Sequence, residues 1–149
     1  MRHRPLAITL GSLLAFLAVS YPFTGTTQTA TSSDLVMTVV SGPSSGVAGN
    51  SIIITNRVKN QGTVSTGSGF SVRLYLSADN VITTADTFLG SRTSPALSPG
   101  AIDQKNTTVA IPSVVPGTYF LGAIADDPNV IAETNETNNS KAGNTITIR

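Results

Sequence analysis

The 149-residue sequence contains no cysteine and no tryptophan, and its one histidine is His3. Without cysteine there is no disulfide, no thiol nucleophile and no cysteine-ligated zinc. With histidine confined to the N-terminal edge, a serine–histidine–aspartate constellation and a histidine-built metal centre are excluded as well. Aromatic residues make up 5 % and charged residues 11 %, with 9 Lys and Arg against 8 Asp and Glu. That balance lacks the cationic excess that holds a nucleic-acid backbone, so no nucleic-acid partner is expected. At 40 % hydrophobic residues the chain is nevertheless too apolar for a disordered polymer. Its length suits one domain rather than two.

Long apolar runs are also scarce. Leu6 to Val19 is 14 residues without a charge. Arg2, His3 and Arg4 precede it, and Ala18-Val19-Ser20 ends it with small residues at the positions a signal peptidase reads. These are the three parts of a secretory signal, and the run is shorter than the roughly 20 residues that span a bilayer core. Residues 1–20 therefore read as a signal peptide, with an uncleaved anchor as the alternative. Residues 21–33 read as a flexible leader, because Thr24 to Ser33 (TGTTQTATSS) has no large apolar side chain. Loss of Arg2 and Arg4 leaves 7 basic against 8 acidic groups and no membrane span. The expected location is the periplasm, the cell surface or the medium. The remaining domain, 34–149, must be held by its hydrophobic core alone, which is feasible because roughly 115 residues bury well over half of their unfolded surface.

From Asp34 onward, short runs rich in Thr, Val and Ile are broken by Gly, Pro, Asn, Asp and Ser, with no helical apolar stripe. Strands are predicted at Leu35–Val40, Ser51–Asn60, Phe70–Ser77, Thr87–Ser91, Lys105–Ile111, Thr118–Ala125 and Thr145–Arg149. Alternation is clearest at Phe70, Val72, Leu74 and Leu76, with Ser71, Arg73, Tyr75 and Ser77 facing outward. Asn56 shares the parity of Ile52, Ile54 and Val58, so it is either near a sheet end or a buried amide that needs partners. The chain is thus all-β. Seven strands at this spacing indicate an immunoglobulin-like antiparallel β-sandwich, with an open barrel as the alternative. Pro116-Gly117-Thr118-Tyr119 supports the former, since it places a Tyr where a tyrosine corner bonds back to its turn. Leu121 stands where antibody domains carry the second cysteine, so apolar packing replaces that crosslink.

A series of short motifs then identifies a resemblance. Val58-Lys59-Asn60-Gln61-Gly62, Leu74-Tyr75-Leu76-Ser77-Ala78-Asp79, Ala85-Asp86-Thr87-Phe88-Leu89-Gly90, Leu97-Ser98-Pro99-Gly100, Pro116-Gly117-Thr118-Tyr119 and Ile131-Ala132-Glu133-Thr134-Asn135-Glu136-Thr137-Asn138-Asn139 occur in order. Together they resemble CARDB, the cell adhesion related domain found in bacteria, over residues 34–149. The resemblance implies an immunoglobulin-like sandwich, an extracytoplasmic site and a non-catalytic role. Family members usually occur as repeats or as modules appended to larger surface proteins. A single copy behind its own signal argues against a simple spacer.

Two clusters carry oxygen ligands. The connection from Asp126 to Gly143 holds Asp126, Asp127, Asn129, Glu133, Asn135, Glu136, Asn138 and Asn139. Its metal candidates are Asp126, Asp127, Glu133, Glu136 and Asn138, and the cation such ligands suit is Ca²⁺, although the spacing is not that of an EF-hand. The other reading is turn chemistry, in which Asn and Asp bond their own backbone. A weaker second candidate is Asp79, Asn80 and Asp86. Antiparallel pairing of the third and sixth strands should put it at the opposite end of the sandwich. Calcium is the one cofactor suggested, and an enzyme is not expected. Asp126 and Asp127 are adjacent and so face opposite ways on extended chain. No Trp offers a sugar platform. The expected function is a non-catalytic extracytoplasmic binding or adhesion module of a bacterium. It would contact a protein or glycan at the cell surface through loops of the sandwich. The alternatives are a structural or assembly component of a cell-envelope complex, or an accessory carbohydrate-binding module.

Overall fold

The computed structural model describes residues 32–149, so the signal reading of 1–20 and most of the leader lie outside the described residues. Eight strands follow: β1 Leu35–Ser41, β2 Ser45–Gly46, β3 Ser51–Asn60, β4 Phe70–Ser77, β5 Thr87–Ser94, β6 Ile102–Ala110, β7 Gly117–Ala125 and β8 Ser140–Ile148. They form a three-stranded sheet ordered β1-β3-β6 and a five-stranded sheet ordered β2-β8-β7-β4-β5. All pairings are antiparallel except that of the two-residue β2 with β8. This is the expected all-β sandwich, and no helix occurs among the described residues.

The core is aliphatic, as the alternation predicts. Ile54 and Val58 of β3 meet Val72, Leu74 and Leu76 of β4, Leu121 and Ala123 of β7, and Ile146 and Ile148 of β8. Tyr119 packs against this cluster, and its hydroxyl donates to the Val115 carbonyl at 2.7 Å. That is the bond of a tyrosine corner, and it ties the start of β7 to the preceding turn.

β8 is longer than its sequence indicates. Ser140 to Asn144 has no apolar β-branched residue, and the ladder with β7 is interrupted between Phe120 and Gly122. A bulge breaks the period-2 pattern while most ladder pairs survive, so composition does not mark the strand.

Two side chains assigned to solvent are buried. Tyr75 and Ser77 lie on the outer face of the five-stranded sheet, yet Tyr75 is only 2 % exposed. Local alternation gives the face but not what covers it. The β4–β5 loop folds back and seats Ile82 over Gly122, where an added Cβ would stand 2.4 Å from the Ile82 side chain. Phe88 meets the Tyr75 ring edge-on at 5.9 Å between centroids.

Asn56 is the second of the two possibilities read from its parity, a buried amide with partners. Its Nδ2 donates to the Ile54 carbonyl and to Thr107 Oγ1, and its Oδ1 accepts Arg92 Nε at 2.6 Å. Arg92 Nη1 in turn donates to Asp103 at 2.5 Å. Asn56 and Asp103 belong to the small sheet and Arg92 to the large one. The network therefore closes the sandwich along its β5–β6 edge.

Candidate functional site

Four segments meet at the end of the sandwich where β1 begins: residues 32–34, the β3–β4 loop 61–69, the β5–β6 loop 95–101 and the β7–β8 loop 126–139. Asn60 is their hub. It is 0 % exposed. Its Nδ2 donates to the carbonyls of Val64 and Leu97 at 2.8 and 3.0 Å. Its Oδ1 accepts the backbone N–H of Asp34 and of Gly62 at 3.1 and 3.0 Å. Gly62 is needed beside it, because a Cβ there would sit 2.4 Å from the Ser32 carbonyl oxygen. Ser33, assigned to the leader, bridges to Glu133 in a parallel sense, and its hydroxyl donates to the Ala132 carbonyl at 3.0 Å.

The β7–β8 loop is built over this base. Asp126 leaves β7 with φ 55°, a left-handed backbone that aspartate tolerates, and is 2 % exposed. Its Oδ2 accepts the N–H groups of Val130 and Ile131 at 3.0 and 2.7 Å, which wraps the chain around the carboxylate and delivers Ile131 to the core. Burial pushes the Asp126 carboxyl above its usual range against the pull of those two N–H groups, and the charges of Glu136 and Asp127 push the same way. Glu133 accepts the Leu35 N–H on Oε2 and Asn139 Nδ2, at 2.8 Å, on Oε1. Burial is the main reason that its carboxyl is pushed up to about 7; these two donors oppose the rise, while Glu136 and Asp126 add to it. Glu136 accepts Asn129 Nδ2 and the Glu133 N–H. Asn138 Nδ2 donates to Asp34 Oδ1 at 2.9 Å.

Of the five candidates in this loop, Asp126, Glu133, Glu136 and Asn138 therefore belong to one end-cap. Asp127 does not. Its Oδ2 accepts the Tyr75 hydroxyl and its Oδ1 lies 3.4 Å from Arg73, on the outer face of the large sheet. Burial first, and then Asp127, hold the Tyr75 hydroxyl up at about 12, so it stays a donor at neutral pH. The second cluster lies at the opposite end, because β4 and β7 pair antiparallel with Val72 opposite Ala125 and Ser77 opposite Phe120. There Asp79 accepts the Val81 N–H, Asp86 accepts the Thr83 N–H, and Asn80 is exposed. Those bonds are the turn chemistry of short polar side chains.

Sequence reasoning missed Asp34 and Asn60 as members of the end-cap. For Asn60 a signal existed: it continues the buried parity Ile52, Ile54, Asn56, Val58 along β3.

Two features bear on cation binding. No group of three His, Cys, Asp or Glu side chains among the described residues is arranged to hold a metal ion. Yet Asp126 Oδ1, Asn138 Oδ1 and Asn139 Oδ1 are buried without a hydrogen-bond partner among the described residues. The oxygen chemistry suits a hard cation only if amide oxygens take part. A groove of about 600 Å³ between β2 and β3, lined in part by Pro43, Val47, Ile53 and Arg149, sits at the other end and includes none of these groups.

The family model of CARDB matches residues 32–143. The chain belongs to the CARDB family. CARDB is an adhesion-related, non-catalytic family of cell-surface domains. The crystal structure of the CARDB domain of the PF1109 protein from Pyrococcus furiosus, in complex with di-metal ions, is 22 % identical with a TM-score of 0.59. The likeness covers 79 % of this chain and 94 % of that one. A domain of a Methanosarcina acetivorans protein named for the cell surface is 21 % identical over 78 % of this chain and 92 % of its own, with a TM-score of 0.54. A β-glucosidase from Erythrobacter marinus is 15 % identical over 78 % of this chain but only 16 % of its own, with a TM-score of 0.52. At these identities the likenesses show the sandwich fold alone. Among curated proteins none matches the sequence. No helix of the described residues is long and apolar enough to cross a membrane.

The end-cap makes stability depend on pH. Glu133 titrates near 7 in the folded chain against an ordinary 4.5. A raised folded pKa contributes stability that is full below about 4.5 and is lost as pH rises through about 7. In chelator, the melting temperature should therefore fall by several degrees between pH 5 and 8. Glu133→Gln should flatten that fall, and an unchanged slope in this variant would show that another group carries it.

Proposed function

We propose that this CARDB domain is a non-catalytic extracytoplasmic binding or adhesion module whose contact surface is the β7–β8 loop. The supporting observation is the loop's construction. Its crest, including Val130 and Thr134 to Thr137, is exposed, while Asp126, Glu133 and Asn138 fasten its base to the sandwich and to the N-terminal segment. A polar surface ordered before contact loses little entropy on binding, and long loops on rigid sandwiches commonly carry recognition.

The test is a screen of the chain against glycan arrays, extracellular-matrix proteins and envelope extracts. It is repeated with Val130→Glu combined with Ala132→Lys, two exposed positions whose side chains support no hydrogen bond. Binding to a glycan or matrix protein, weakened about tenfold or more in the double variant, is the expected result. Binding that ignores the double variant would remove the loop as the contact. Stoichiometric co-purification with envelope subunits would favour an assembly component instead.

The same reading includes calcium as a structural ion of the loop. It is supported by the unpaired carboxylate and amide oxygens in that loop and by the di-metal complex of the Pyrococcus furiosus domain.

A further inference from the structure

We infer that Asp126 Oδ1, Asn138 Oδ1 and Asn139 Oδ1 are the side-chain donors of a weak calcium site that locks the β7–β8 loop onto the N-terminal segment; this deepens the calcium reading above. Four buried side-chain atoms lack a partner among the described residues, and three of them are these oxygens. The fourth, Ser94 Oγ, is a hydroxyl on β5 and is able to donate.

The orientation of each group is set by its other bond. Asn138 Nδ2 donates to the Asp34 carboxylate and Asn139 Nδ2 donates to the Glu133 carboxylate. An ionised carboxylate accepts only, so where both carboxyls are ionised, for Glu133 above about pH 7, neither amide can be turned to bring its nitrogen to the unpaired side. Asp126 uses Oδ2 for two loop N–H groups, which leaves Oδ1 free. The two ends of the loop lie side by side, since the N–H of Ala125, the residue before Asp126, donates to the Asn139 carbonyl at 2.9 Å. Asp126 is 2 % and Asn139 7 % exposed. With Asp126 ionised these are three acceptors with no donor among them, and leaving each unpaired in the interior is costly.

A hard cation answers that arrangement. Calcium takes oxygen ligands from carboxylates, amides and water, whereas nitrogen- and sulfur-seeking transition metals find nothing here to prefer them. One formal charge among three side-chain ligands places the affinity with that of extracellular modules, at a Kd of about 10⁻⁴–10⁻³ M. Because Asn138 also holds Asp34, the ion would fasten the start of β1 as well as the loop.

The experiment is calorimetric titration of the chelator-treated chain with CaCl₂ alone, paired with thermal melts in calcium and in chelator. The wild-type chain should bind one ion near that affinity and melt higher in calcium. Asp126→Asn keeps an oxygen for the Val130 and Ile131 N–H groups and puts an NH₂, which cannot ligate a cation, in place of Oδ1. It should fold, melt in chelator no lower than wild type, and lose calcium affinity at least about tenfold. Asn139→Ala should lose it too. Calcium binding that survives both substitutions would overturn this donor set while leaving the calcium reading standing. No calcium response in the wild-type chain would overturn both and assign the oxygens to buried water. Neither result touches the partner screen.

Discussion

Asn60→Ala is expected to destabilise the domain by about 3–4 kcal/mol and to lower its melting temperature by roughly 10 °C or more. One amide serves the Val64 and Leu97 carbonyls and the Asp34 and Gly62 N–H groups, at full burial. Removing it leaves the polar groups of three segments unpaired in a space too enclosed for each to find bulk water, and unpaired buried groups cost more than a bond contributes. Asn60→Asp makes the argument specific. The acceptor side survives, but a carboxylate oxygen then faces two carbonyl oxygens, so this variant should be at least as unstable at neutral pH and should recover in acid. Chemical denaturation of the three proteins measures this. A loss under about 1 kcal/mol in the alanine variant would mean that the loops do not depend on the hub. The consequence reaches the candidate site, because Asp34 links Asn60 to Asn138.

The second large effect is expected at the β5–β6 edge. Arg92→Met should cost about 3–5 kcal/mol, because it leaves the Asp103 carboxylate and Asn56 Oδ1 buried and unpaired. The side chains of Arg92 and Asp103 are 9 % and 10 % exposed, so solvent does little to compensate. Lys105, 3.9 Å from Asp103 and largely exposed, recovers only part of the loss. Arg92→Met combined with Asp103→Leu should be more stable than Arg92→Met alone, since the lone charge is gone and a buried pair is often replaceable by apolar groups. Equal stability of the single and double variants would show that the arginine acts through its packed stem and not through the ion pair. As a sandwich without a disulfide, the protein has this polar strap across its sheets in addition to its aliphatic core.

The alternation Phe70, Val72, Leu74, Leu76 and the Pro116-Gly117-Thr118-Tyr119 turn predicted a sheet face and a tyrosine corner, and both are present. Antiparallel pairing of the third and sixth predicted strands, read from fold class alone, separates the two acidic clusters as expected. Where reading failed, the missing information was non-local. Tyr75 alternates outward and is buried because Asp127 and Phe88 come from distant segments to cover it. Asp127 stands close to Glu133 in the chain, yet it serves the outer face of the large sheet and not the end-cap.

Local order along the chain was sufficient to determine an all-β sandwich of this family, because strand periodicity, turn residues and apolar faces are properties of neighbouring residues. Only the tertiary structure decided which oxygens are paired. Ser33 meets Ala132, 99 positions further along the chain, and Asp34 meets Asn138, 104 positions further, and no local pattern encodes such encounters. Hydrogen-bond satisfaction is settled when segments close on one another, and at this end of the sandwich that closure leaves three acceptors facing inward.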